Sequence, residues 1–345
     1  MNLEKIPVSI ITGFLGSGKT TLISNLLNSD DMQNTALIIN EFGEIGIDNL
    51  LVKSSVENTL LLENGCVCCS IRGDLSDTIA GLFAQVENKD IPFFDLILIE
   101  TTGLAQPGPI VQTIHTDISV NNRCRFDKVI TVVDTTSVQQ QVKLHQEPAT
   151  QIIQADIIYF SKTDISNTIN IDNAHGIITH LNPEAMFTDK ITSELLRAPI
   201  EINSSQKNCF ICVSSSDISD NSNNPIHDHT HNKNFHNHND NNHLSIFKNW
   251  LLKSKEPLDK DAFTNWLSSL YSFYPLSMLR LKGFARFKGM DHDILFQAVG
   301  PVFTEIRQAE NTLNNNFAVS LVFIFKDLDS ADLENSFNIH VKENQ

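Results

Sequence analysis

Gly13-Phe14-Leu15-Gly16-Ser17-Gly18-Lys19-Thr20 follows the apolar run Ile6-Pro7-Val8-Ser9-Ile10-Ile11-Thr12 and leads into a segment with helical spacing. The octapeptide has the form G-x-x-x-x-G-K-[ST] in the strand–loop–helix context that gives the pattern its meaning. The glycines let backbone N–H groups turn inward around a phosphate, and the helix N-terminus adds the positive end of its dipole. Lys19 is expected to reach the β- and γ-phosphates, and the Thr20 hydroxyl, followed by Thr21, to lie at Mg²⁺ and the phosphates. The alternative, a chance glycine-rich turn before a helix, does not account for motif and flanks being in register.

Outward from this loop, short apolar runs alternate with helix-period segments to about residue 200. Strands are expected at 6–12, 35–40, 59–63, 94–100, 128–134, 156–160 and 185–188, with helices at 20–28 and 75–87 among the connections. Several strands are almost wholly apolar, as strands covered on both faces must be. The rhythm predicts an α/β doubly wound, mainly parallel sheet with its ligand at the carboxyl ends of the strands.

Two later motifs fit a nucleotide. The strand 94–100 ends in Glu100, followed by Thr101-Thr102-Gly103. A carboxylate there can hold Mg²⁺ through water, and the Gly103 N–H can approach a γ-phosphate, so the loop can register hydrolysis. Ser161-Lys162-Thr163-Asp164 resembles the N-K-x-D element that reads guanine, with serine in place of asparagine. The Asp164 carboxylate can accept from N1–H and the exocyclic amine of guanine, and the aliphatic stem of Lys162 can cover the base. Lys19, Glu100 and Gly103 are therefore the candidate catalytic residues, and 13–21 with Lys162 and Asp164 the candidate GTP site.

Composition narrows the rest. The 345 residues are 41% hydrophobic, enough for one large and one smaller domain, with a formal net charge of −16. That charge argues against nucleic acid and anionic membranes as partners. Without a signal-peptide pattern or a spanning apolar run, a cytoplasmic protein is expected.

Three of the six cysteines stand together in Gly65-Cys66-Val67-Cys68-Cys69. Such crowding suits a soft or borderline ion, Zn²⁺, Co²⁺ or Cu(I), better than disulfides. Cys66 and Cys69, three apart, could share one side of a single turn, and a nearby helix N-terminus would favour the thiolates. The other possibility is that these cysteines pack as small apolar residues. Cys209 and Cys212 have C-x₂-C spacing, and an ordinary apolar patch is the better account of them.

Residues 203–243 form an Asn/Ser/Asp/His-rich stretch that buries too little to offset its ordering entropy, and so reads as a flexible linker. Within it His227, His229, His231, His236, His238 and His243 could act as a loose metal antenna, or be filler in a tolerated insertion. From 244 to 345 pattern returns. Strands are expected at 244–253, 277–288, 294–299 and 317–325, helices at 261–271 and 330–337, with Asp259 and Ser330 as N-caps. That is a small α+β domain after a P-loop domain at 1–202.

Taken together, the chain resembles the CobW-like P-loop GTPase metallochaperones, relatives of the urease and hydrogenase nickel-insertion GTPases. The resemblance rests on residues 13–20, Asn40-Glu41-Phe42-Gly43-Glu44-Ile45-Gly46-Ile47-Asp48, the 65–69 thiolate motif, and Glu100-Thr101-Thr102-Gly103-Leu104-Ala105-Gln106-Pro107. Val132-Val133-Asp134, Ser161-Lys162-Thr163-Asp164 and the R-x-K-G-F signature Arg280-Leu281-Lys282-Gly283-Phe284 complete it. It implies a switch segment at 40–48 and a transition metal, Zn²⁺ or Co²⁺, on Cys66, Cys68 and Cys69 joined by Glu41. It further implies a client metalloprotein and a nucleotide- or metal-dependent dimer. With no arginine finger evident, slow unaided turnover is expected. Three rival functions are open at this point: a metal buffer with a regulatory nucleotide site, a part in cobalt or cobalamin cofactor assembly, and a small-molecule kinase, which leaves the thiols unexplained.

Overall fold

The computed structural model describes residues 5–27, 32–39, 52–56, 59–62, 67–70, 74–198, 243–308 and 317–342. The first domain runs β1 (Ile6–Thr12), α1 (Lys19–Leu27), β2 (Thr35–Ile39), β3 (Val52–Val56), β4 (Thr59–Leu62), β5 (Val67–Ser70), α2 (Leu75–Glu87), β6 (Leu96–Glu100), α3 (Pro107–Thr116) and α4 (Ile118–Asn121). It continues through β7 (Cys124–Asp134), α5 (Val138–Leu144), α6 (Glu147–Ile153), β8 (Ile157–Ser161), α7 (Thr168–Leu181), β9 (Met186–Thr188) and α8 (Ser193–Arg197). The second domain has β10 (Phe247–Ser254), α9 (Lys260–Phe273), β11 (Met278–Arg286), β12 (Asp293–Val299), β13 (Val302–Gln308), β14 (Val319–Lys326) and α10 (Ser330–Phe337).

The wholly apolar runs have a direct explanation in β2 and β6. Ala36, Ile38, Ile97 and Ile99 enter the core beneath α2, α3 and α4. Their neighbours Leu37, Ile39, Leu96 and Leu98 enter the opposite core with Leu22, Ile23 and Leu26 of α1. Period-two side chains on a sheet covered from both sides leave no position for water, so residues 36–39 and 96–99 are all apolar and only the strand ends Thr35 and Glu100 are polar. The sheet order is β3-β4-β5-β2-β6-β1-β7-β8-β9. From β5 to β9 every pairing is parallel. β1 lies between β6 and β7, and its carboxyl end is the switch point where a ligand crevice opens.

Two features of this sheet depart from the sequence expectation. β3 and β4 pair antiparallel and β4 pairs antiparallel with β5, so the strand expected at 59–63 lies in an antiparallel ribbon whose outer strand, β3, the sequence reading omits. Residues 67–70 are themselves a strand, parallel to β2, rather than a turn at the start of a helix. α2 itself spans Leu75–Glu87 as expected, with Asp74 as its cap accepting from the Ser76 N–H.

The second sheet is antiparallel throughout, in the order β10-β14-β11-β12-β13. β13 is the strand that the sequence does not reveal. The N-cap of α10 is Asp329, accepting from Ala331, and not Ser330; Asp259 caps α9 as expected. Along β14, Val319, Leu321, Phe323 and Phe325 pack under α9 and α10. Val322 and Ile324 join Leu279 and Phe247 against the helices of the first domain. The second domain is thus docked through one whole face of its sheet.

That docked face carries the R-x-K-G-F residues. Arg280 pairs with the fully buried carboxylate of Asp156 and donates to the Gln154 carbonyl at 3.3 Å. Asp156 also accepts from Gln297 at 3.1 Å and from the Val129 N–H at 2.9 Å. Lys282 donates to the Glu184 carbonyl at 3.2 Å, and burial pushes its pKa below the usual lysine value despite the nearby Asp156. Arg280→Ala is expected to cost about 3–5 kcal/mol, because it strands a buried carboxylate. Urea unfolding of the variant beside the parent checks this, and an unchanged midpoint would remove the clamp from the account.

Candidate functional site

The loop after β1 is held open by its own backbone. Gly13 has φ +149°, and a Cβ there would lie 2.4 Å from the Val132 carbonyl oxygen of β7 and 2.7 Å from Ser17 Oγ. Only glycine fits so close to the neighbouring strand. Gly16 and Gly18 also take positive φ, and the Ser17 N–H donates to the Phe14 carbonyl at 3.1 Å. Lys19, nearly buried, bends back over the loop and donates to the carbonyls of Gly13 at 2.8 Å and Phe14 at 3.3 Å. Ser17 Oγ is buried without a partner among the described residues, an orphan polar group inside the cradle that a phosphate oxygen would satisfy. Phe14 stacks at a tilt on His145, 5.1 Å between centroids, while Leu15 and Thr21 are exposed and Thr20 is half-buried at the helix start.

β6 brings the second segment to the same place. Glu100, last residue of β6 and buried, pairs in register with Ile11. Just beyond, the Thr101 N–H donates to the Ile11 carbonyl at 3.0 Å and Thr101 Oγ1 to Thr12 Oγ1 at 2.7 Å. Gly103 then lies directly on the loop: a Cβ at this position would meet Leu15 N at 2.7 Å. Lys19, Glu100 and Gly103, separated by up to 84 positions in sequence (103 − 19), are therefore brought together. Oxygen donors from Thr20 and Glu100 at a phosphate cradle are the donor set of a hard cation such as Mg²⁺.

The third segment is joined to the cradle by the residue that departs from N-K-x-D. Ser161 Oγ donates to the Ser17 carbonyl at 2.5 Å and lies 3.2 Å from that of Val133. Serine thus retains a tether between this segment and the phosphate loop. Lys162, in the left-handed region at φ +57°, is ion-paired to Asp134 at 2.7 Å. Burial pushes the Asp134 carboxyl up, but hydrogen bonds from Lys162, Thr136 and Ser137 outweigh it and hold the pKa below 3.8. A depressed carboxyl contributes stability above its unfolded pKa and loses it as pH falls through the lower folded value, so the pair is closed at neutral pH. Asp164 is exposed beside it. Asp134, here the anchor of Lys162, is a contributor whose role the sequence does not reveal.

The remaining candidates divide. Cys68 and Cys69 are in β5, opposite Leu37 and Ile38 of β2 and Leu60 and Thr59 of β4. Glu41, Cys66, His227, His229, His231, His236 and His238 lie outside the described residues, as do Cys209 and Cys212; His243 opens a short 3-10 turn. Among the described residues no three His, Cys, Asp or Glu side chains form a metal-sized group. Cys124 is buried in β7 and burial raises its thiol to about 12, which keeps it a thiol at neutral pH. No helix among the described residues is long and apolar enough to cross a membrane.

This geometry, a phosphate loop flanked by an acidic strand end and a K-x-D segment, agrees with comparison to known families. A model described as "CobW/HypB/UreG, nucleotide-binding domain" matches residues 7–189, and one described as "Cobalamin synthesis protein cobW C-terminal domain" matches 247–339. The chain belongs to the CobW/HypB/UreG family. Its CobW-type relatives include the zinc chaperone YjiA of Escherichia coli (strain K12), 35% identical over 183 residues, which are 53% of this chain and 57% of YjiA. The zinc chaperone CobW of a Sinorhizobium species is 28% identical over 334 residues, 87% of this chain and 86% of that one. A Zn(II)-bound YjiA GTPase from E. coli superposes with a TM-score of 0.74 at 25% identity, over 98% of this chain and 99% of that chain. This chain and YjiA therefore share one two-domain fold.

Ser161→Ala should lower nucleotide affinity about tenfold, near 1.4 kcal/mol, by freeing a phosphate-loop carbonyl. Triphosphate and diphosphate should suffer equally, since both use that loop. Titration with fluorescent nucleotides checks it, and a loss confined to one nucleotide would contradict the tether.

Proposed function

We propose that this protein is a GTP-hydrolysing metallochaperone, which holds a transition metal at its C-x-C-C thiolates and couples the state of its nucleotide to transfer of that metal to a client protein. The observation that carries the reading is the register of the sheet. Cys69 stands opposite Ile38, Ile38 opposite Ile99, and Glu100 follows Ile99. The strand of the thiols is therefore two strands, roughly 10 Å, from β6, the strand that ends in Glu100 beside the phosphate loop. β2, between them, runs directly into the 40–48 segment that carries Glu41. A change at the γ-phosphate would thus have a route along the sheet to the metal ligands that is short in strand order.

In this reading the inward N–H groups of residues 13–18 and Lys19 hold the phosphates. Asp164 reads guanine while Asp134 keeps Lys162 in place. Thr20 and Glu100 would hold Mg²⁺, which neutralises phosphate charge when bound. The N–H of Gly103 meets the γ-phosphate and loses its partner on hydrolysis. Cys66, Cys68 and Cys69, as thiolates, with Glu41 provide a borderline donor set, and the family relatives named zinc chaperones favour zinc over cobalt. His227, His229, His231, His236, His238 and His243 would collect metal for this site.

The deciding experiment is a zinc competition titration of the full chain with Mg²⁺–GTP against Mg²⁺–GDP. Affinity should differ between the two by about 5- to 150-fold, the ordinary range of a coupling free energy. Cys66→Ser, Cys68→Ser and Cys69→Ser should each abolish the difference. Equal affinity in both states would leave a nucleotide-stabilised metal buffer instead. Deleting 227–243 should reduce zinc stoichiometry without changing GTP turnover, as measured by phosphate release and dialysis.

A further inference from the structure

The two glutamines of the Gln151-Ile152-Ile153-Gln154 run have no part in the site as described so far, yet both are buried in an otherwise apolar segment. Gln151, fully buried, donates from Nε2 to the Gly103 carbonyl at 3.1 Å and to the Ala105 carbonyl at 2.9 Å. Its own carbonyl accepts from Thr131 Oγ1 of β7 at 2.9 Å. The orientation of the amide follows from chemistry. Reversed, its oxygen would face two carbonyl oxygens; as it stands, both find a donor, and Oε1 alone has no partner among the described residues. A buried amide held this way fixes the path of the backbone it binds.

Three residues further, Gln154 faces the other way. Its Oε1 accepts from the Gly108 N–H at 3.1 Å, at the start of α3, and its carbonyl accepts from Arg280 at 3.3 Å. Gly300, in the turn between β12 and β13, approaches the same spot, with an added Cβ 3.7 Å from Gln154 Nε2 and from Gly108 Cα. Next in the chain, Asp156 takes Arg280 and Gln297 of the second domain. The loop 103–108 is therefore fixed at one end by Gln151 and at the other by Gln154, and Gln154 is itself seated on the second domain.

We propose that Gln151 is a positioning residue for GTP hydrolysis, and that α6 with Gln154 and Asp156 carries the seating of the C-terminal domain to the loop bearing Gly103. The proposal rests on the reading of that loop as the one that meets the γ-phosphate. A client or metal that shifts the C-terminal sheet would, by this route, reset the rate of hydrolysis without touching the nucleotide.

The test uses the full chain. Gln151→Glu keeps the shape and removes the donor; Gln151→Met keeps the length without burying a carboxylate. Each should lower kcat about tenfold, with KM for GTP and GDP affinity within about twofold, since the lost contact is expressed in the transition state. Gln297→Leu, in the other domain, should lower kcat in the same direction. Its effect should vanish in the Gln151→Met background, because both act along one path. Thermal unfolding is followed for every variant, and if Gln151→Met does not fold, Gln297→Leu carries the test from the domain interface. Unchanged kcat in the folded variants, equal losses in KM and GDP affinity, or full additivity would overturn the inference. Absence of GTP turnover in the parent chain would instead overturn the reading on which it rests.

Discussion

A fully buried carboxylate has to be answered by donors, and the answer to Asp156 organises this molecule. Its two oxygens take a backbone N–H from β7, the Arg280 guanidinium and the Gln297 amide. The first comes from the strand beside the phosphate loop, the other two from the second sheet. Unpaired, such a charge would be expensive to bury, so the docked arrangement of the domains is the one that satisfies it. Around this polar point the interface is apolar, with Val322, Ile324 and Leu279 set among side chains of α5, α6 and α7. Burial supplies the area and the ion pair supplies the register.

The nucleotide site is built on the same economy of position. Gly13 touches β7, Thr101 clips the end of β6 to β1, and Ser161 ties β8 to Ser17. The ends of β6, β7 and β8 are therefore fastened to β1 or to the loop that follows it by short hydrogen bonds and a steric fit. A rigid cradle suits a ligand whose phosphates must be met by N–H groups already in place. By contrast, the loop 103–108 is held by side-chain amides, two contacts at one end and one at the other, beside the turn in which the Ala105 N–H donates to the Thr102 carbonyl.

Sequence legibility follows the range of the interactions. The strand–loop–helix of the cradle was readable because its chemistry is contiguous and its glycines are demanded by local geometry. The apolar runs of β2 and β6 were readable because both faces are covered. The edge strands β3 and β13 were not, because edge strands carry mixed residues whose pairing depends on a partner elsewhere. The C-x-C-C backbone was misjudged for a related reason. Spacing alone cannot tell a turn from the strand that β2 and β4 induce by pairing on either side.

By itself, the sequence determined a glycine-rich strand–loop–helix around residues 13–20, a largely parallel sheet about it, and the presence of thiols and an acidic strand end. Local hydrogen bonding and period-two burial are encoded within a few residues, so they survive being read in one dimension. Only the tertiary structure decided what the lone polar residues do. Gln151 and Gln154 look unremarkable in the chain, and for Ser161, Asp134 and Arg280 a motif names the residue without naming its partner. Their partners lie 28 to 144 positions away. A buried polar group acquires its meaning from the partner that satisfies it, and that partner is chosen by the fold.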